Sequence, residues 1–197
     1  YAVMYSSKPL IEGGICIIDS PGLQDKGVAT ELALSIAQKA QAIIYLTLER
    51  GFEENDKEYI YSNFKNCPNN IFFGINKFDL VKANERSAAL QKMKDEVSPV
   101  FKGQDGKVND ELLNRRVFGF SALRALDSRR GMTYDREEDI EVKLDDAQRK
   151  SKFEKSWFAP FEQELETFLT TDERCLAQYQ NCFHRMAQWL NICSNIF

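Results

Sequence analysis

One histidine, His184, occurs in the 197 residues, and its place on the last helical pattern reads as packing or surface rather than as a ligand. Five cysteines (Cys16, Cys67, Cys175, Cys182, Cys193) form no Cys-x-x-Cys pair. Free thiols in a reducing compartment are therefore expected, not a disulfide framework or a metal site. Cys175 and Cys182 lie seven apart and can share a helix face, but no further Cys or His completes a tetrahedral set. There is no run of 18 apolar residues and no leader, so the stretch is expected neither to span a membrane nor to be secreted. Basic excess is missing too. Lys and Arg number 26 against 30 Asp and Glu, for a net charge of −4. That argues against a general nucleic-acid surface, although a local basic patch can still meet lipid headgroups. No internal repeat or low-complexity tract is present.

The hydrophobic fraction, 43%, is enough for a substantial core, and the length suits one domain with an appendage. Residues 1 to 7 and 14 to 18 read as two strands, joined by a connection punctuated by Pro9 and Gly13. The second strand ends in Asp19-Ser20-Pro21-Gly22, a turn at a strand tip. The spacing then predicts a helix capped by Thr30, a buried strand over 42–48, a helix near 53–66, and an apolar strand over 70–75. Further helices are expected near 85–97 and 109–115, with a short strand over 117–120. This alternation predicts an α/β fold with a mostly parallel sheet and helices on both faces. The charge-dense stretch 133–152 reads as a solvated loop or exposed helix. Residues 157–169 carry apolar side chains at helical spacing, for a helix packed on the sheet. The pattern over 172–197 has a broad apolar stripe (Leu176, Tyr179, Phe183, Met186, Trp189, Leu190, Cys193) that calls for a partner helix.

Three of these strands end in a cluster of small and polar residues, and a parallel sheet places such tips on one edge. Asp19 is a carboxylate able to hold a metal ion, and Gly22 lets a backbone N–H approach a phosphate closely. In Asn76-Lys77-Phe78-Asp79, the carboxylate two residues after Lys77 can accept hydrogen bonds from the N1–H and exocyclic amine of guanine. The Lys77 stem lies over the purine, and Asn76 braces neighbouring loops. Adenine has no such donor pair, and leaving the carboxylate unpaired costs about 1–3 kcal/mol or more. Ser121 and Ala122 fit beside it: the Ala122 N–H can meet the guanine carbonyl, and the Ser121 hydroxyl can orient Asp79.

Asp-x-Pro-Gly, Asn-Lys-x-Asp and Ser-Ala, in that order and each at a strand end, are three of the five sequence elements of the GTPase superfamily. Pro9-Leu10-Ile11-Glu12, Asp19-Ser20-Pro21-Gly22-Leu23, Glu31-Leu32-Ala33-Leu34 and Phe120-Ser121-Ala122-Leu123-Arg124-Ala125-Leu126 resemble the dynamin superfamily. Phe161-Glu162, Leu165, Phe168-Leu169 and Asp172-Glu173-Arg174 are similar to its bacterial dynamin-like branch, related to mitofusins. The resemblance implies a P-loop-GTPase-type domain over 1–171 and the start of a helical neck or stalk over 172–197. It implies binding of GTP or GDP with Mg²⁺, nucleotide-dependent homodimerisation and assembly, and membrane remodelling through a stalk tip. A cytoplasmic protein, peripheral at a membrane, is expected, with no nucleic-acid partner. By the same resemblance Asp19 holds Mg²⁺ through water, Gly22 contacts the γ-phosphate, and Asn76, Lys77, Asp79, Ser121 and Ala122 read the base. Leu23 stands where some small GTPases carry a glutamine. No catalytic residue is assigned.

Two elements of that pattern are missing. No Gly-x4-Gly-Lys-Ser/Thr phosphate loop occurs; Gly103-Gln104-Asp105-Gly106-Lys107-Val108 has the wrong spacing and follows the guanine motif. The threonine switch before Asp19 is also missing. Phosphoryl transfer rests on positioning and electrostatic stabilisation, so this stretch by itself is expected to be inactive. The opening at Tyr1 suggests a fragment of a competent GTPase. A non-hydrolysing pseudo-GTPase assembly module is the alternative, and a translation-associated GTPase fits the acidic balance poorly.

Overall fold

A computed structural model describes residues 16–19, 35–37, 39–65, 68–103, 105–135, 137–176, Tyr179 and Met186. The chain divides into two compact units, 1–40 and 41–197. In the first, a buried strand is expected through Ile18, yet Ile17 and Ile18 are 61% and 45% exposed and only Ile18 forms a bridge. An apolar run becomes a buried strand only where neighbours pair with it and a layer covers each face. Ser35–Ala37 are helical, and the Lys39 and Ala40 N–H groups close on the Ile36 carbonyl at 2.9 and 3.0 Å. Gly22 and the proposed cap Thr30 lie outside the described residues.

The second unit is built on a three-stranded parallel sheet: β1 (Ile43–Thr47), β2 (Ile71–Ile75) and β3 (Val117–Gly119), in spatial order β1-β2-β3. All five residues of β2 are buried, as expected of a central strand covered on both faces. Successive side chains point to opposite faces, and each face has its own aromatic layer. Phe73 meets Phe52 and Phe101, while Phe72 meets Phe161 and Phe168 edge-on at centroid distances of 6.5 and 5.5 Å. The connecting elements are α1 (Glu54–Phe64) between β1 and β2, then α2 (Arg86–Val97) and α3 (Asp110–Arg116) between β2 and β3. On the Phe72 side lies α6 (Phe158–Thr170), with Phe161, Phe168 and Leu169 buried.

Between β3 and α6 come α4 (Ala122–Arg130), an antiparallel hairpin of β4 (Met132–Asp135) and β5 (Ile140–Lys143), and α5 (Asp146–Glu154). The stretch 133–152, expected as a loop or exposed helix, is thus a hairpin followed by a helix. Its charges mask the strand alternation, since all four residues of β5 are exposed. Gly131 turns the chain at φ 70° after α4, a left-handed position that suits glycine. Asp145 and Gln148 form a reciprocal capping box that starts α5. Beyond α6, residues 172–176 are helical. Of the stripe expected there, Leu176, Tyr179 and Met186 are exposed, and the other four positions lie outside the described residues.

Candidate functional site

The β-ladder runs directly into the motifs. Asn76 N–H donates to the Thr47 carbonyl at 2.8 Å, Phe120 N–H to Ile75 at 2.9 Å, and Phe78 N–H to Phe120 at 3.1 Å. These bonds stitch the tips of all three strands together on one edge of the sheet. Lys77 takes a left-handed conformation (φ 57°) and opens a 3-10 turn over Phe78–Leu80. Phe78 is the anchor of that turn. Its ring is buried, packs edge-on against Trp157, and lies so close beneath Gly119 that a Cβ there would come within 2.8 Å. Arg86 lies over the Trp157 ring, 4.4 Å from its centroid, and donates to the Val81 carbonyl. With Phe78 pinned inward, its neighbours Lys77 and Asp79 face a cavity of about 1110 Å³, which Asn76 and Ser121 also line.

Asn76 Oδ1 accepts from Lys77 N–H at 2.8 Å and from Ala122 N–H at 3.1 Å, joining the two base-side motifs. Ala122 N–H is thereby engaged, whereas the sequence leaves it open for a carbonyl. It belongs to the first turn of α4, where backbone donors need an outside acceptor, and Asn76 supplies one. Ser121 also differs from expectation. Its hydroxyl accepts from Arg124 N–H at 3.3 Å as the N-cap of α4, the ordinary use of serine before a helix. The group beside Asp79 is instead Arg124, whose Nε lies 3.1 Å from Asp79 Oδ2. A cation in the first turn of a helix is disfavoured by the helix dipole by about 0.3–1 kcal/mol, and the Asp79 carboxylate offsets that cost.

The far wall of the cavity comes from α4, the hairpin and α5. Asp127, almost fully buried, accepts from Thr133 Oγ1 at 2.8 Å and pairs with Lys152 Nζ at 2.9 Å. One residue from each of three elements therefore meets in a single polar cluster. Tyr134 also lines the cavity, and its hydrogen bond to Asp139 pushes its pKa above the usual tyrosine value. Neither Arg124 nor this wall stands out in the sequence, because Arg and Lys on short helices are ordinary surface residues.

Asp19 is exposed and belongs to the first unit. Among the described residues no group of three His, Cys, Asp or Glu is placed to hold a metal ion. Asp19 is a single carboxylate, and Mg²⁺ held by one or two carboxylates takes its remaining ligands from water and substrate phosphates. The base side differs, because a carboxylate, an asparagine and a lysine converge on a cavity of ample volume for a purine.

The fold and site thus define an α/β protein with a parallel sheet and a cavity at the ends of its strands, compatible with a P-loop-like fold. In sequence the chain is similar to a bacterial dynamin-like protein of Nostoc punctiforme, 27% identical over 135 residues, which covers 64% of this chain and 20% of that protein. The chain spans about a fifth of the length of this relative. No protein-family model matches, and no solved structure matches.

Proposed function

We propose that this chain is the guanine-recognising part of a dynamin-like GTPase, which hydrolyses GTP to drive its own assembly and membrane remodelling. The observation that carries the reading is the convergence of Asn76, Lys77, Asp79 and Ser121 on one cavity at the sheet edge, and the likeness to a bacterial dynamin-like protein supports it. Asp79 accepts the two N–H donors of guanine, the Lys77 stem covers the purine face, and Asn76 holds the two loops in register. Ala122 N–H, which donates to Asn76 Oδ1 in this structure, would have to exchange or share that bond to meet the base carbonyl. On this reading Mg²⁺ falls to Asp19 and the γ-phosphate to Gly22. Bound Mg²⁺ would neutralise phosphate charge. The protein acts in the cytoplasm at a membrane surface, as a nucleotide-dependent homodimer and larger assemblies.

Titration of the full-length gene product with GTP, ATP and xanthosine triphosphate tests this. Xanthine presents a carbonyl where guanine has its amine. Asp79→Asn is expected to weaken GTP binding about a hundredfold or more and to raise xanthosine triphosphate affinity. Unchanged GTP affinity refutes the assignment.

A further inference from the structure

We propose that Arg124 is a positioning residue for the Asp79 carboxylate, an inference that rests on the guanine-reading role of Asp79. Asp79 is held in a pocket where its side chain is only 15% exposed, and its ion-pair partner is Arg124, itself 35% exposed. A mostly buried carboxylate with several rotamers open to it points along one direction only if something fixes it. Ser121 does not do so: its hydroxyl accepts from the Arg124 backbone N–H and makes no hydrogen bond to Asp79. That same bond sets the first turn of α4, from which the Arg124 side chain reaches Asp79.

The contact is an ion pair of charges and not an aligned hydrogen bond, so both carboxylate oxygens keep lone pairs for two incoming N–H donors. Arg124 also places a positive charge beside the Asp79 carboxylate, which offsets the cost of covering that charge with a base. Lys77, Lys152 and Lys155 line the same cavity. Lys152 is committed to Asp127, and Arg124 is the cation paired with Asp79. The cation at this position acts on guanine through the carboxylate and not by touching the base.

Calorimetric titration of the full-length gene product with GDP, ADP and xanthosine diphosphate tests this, using Arg124→Gln, Arg124→Lys, Asp79→Asn and the Asp79→Asn/Arg124→Gln double variant. Arg124→Gln is expected to weaken GDP about tenfold, and Arg124→Lys to recover most of that loss. With Asp79→Asn as background there is no carboxylate charge to hold, so Arg124→Gln is expected to change xanthosine diphosphate binding less than about twofold. Unchanged or tighter GDP binding by Arg124→Gln overturns the proposal. So does an equal loss in both backgrounds, which would mark a role local to α4. A parent protein that binds GDP no better than ADP fails the guanine reading itself, and this inference with it.

Discussion

The guanidinium of Arg116, 1% exposed, reaches from the last residue of α3 to Glu173, with Nη2 3.1 Å from Oε2. The same group pairs with Glu164 of α6, bonds the Asn69 carbonyl, and lies over the Phe72 ring at 4.5 Å from its centroid. Arg115 doubles the connection through Glu164 and Glu173. The helical stretch after α6 is thus tied to the sheet through one buried cation that also covers a core phenylalanine.

Removing that cation leaves Glu164 and Glu173 paired with Arg115 alone and opens a void beside Phe72. Arg116→Ala is expected to destabilise the protein by about 2–5 kcal/mol, because it opens space beside Phe72 and removes one of the two cations shared by Glu164 and Glu173. Arg116→Met, which refills the volume, should cost less. Chemical denaturation midpoints of the two variants decide this, and equal losses would show that packing on Phe72 is immaterial.

The Glu173 carboxyl is pushed up by burial, but hydrogen bonds from Arg115 and Arg116 outweigh this and hold it below the usual glutamate value of 4.5. Its folded value is thus lower than its unfolded one. The pair's contribution is present above the unfolded value and is lost as pH falls through the folded value. The stability difference between wild type and Glu173→Gln is expected to shrink as denaturation is repeated from about pH 6 down to about pH 3. A constant difference would contradict the assignment.

Gly119 is the contact that seats Phe78. An added methyl would meet three atoms of the Phe78 ring at 2.8 Å, so Gly119→Ala forces the ring, and with it Lys77 and Asp79, to shift. Overpacking of this kind costs about 1–3 kcal/mol. GDP affinity should fall together with stability, measured by titration and thermal unfolding of the full-length gene product. Loss of stability alone would mean that the turn does not follow Phe78.

Ser121→Ala removes the N-cap of α4 and should cost about 1 kcal/mol. Because the hydroxyl is turned toward Arg124 N–H, the ratio of GDP to ADP affinity should stay within about twofold of wild type. A large drop in that ratio would return Ser121 to a direct role beside Asp79.

The alternation of apolar runs with helical spacing was sufficient to locate β1, β2, β3, α1, α2, α3 and α6 within a few residues, because each run is continuous and bounded by turn chemistry. Asn76-Lys77-Phe78-Asp79 and Ser121-Ala122 were legible as a pair for the same reason: each follows directly on a strand. The hairpin over 132–143 was not, since its exposed, charged strands lack the apolar alternation that marks a half-buried sheet.

Which side chains meet was decided only by the tertiary structure. Residue type and order determine that a carboxylate stands at the end of β2. They do not determine that Arg124 faces it, that Ser121 turns to cap α4, or that Asp127, Thr133 and Lys152 close the far wall. Those pairings join residues distant in the chain, and they depend on how helices and strands are set against one another. Arg116 makes the same point: its neighbours in sequence read as a charged helix end, while packing on Phe72 and Glu173 makes it part of the core.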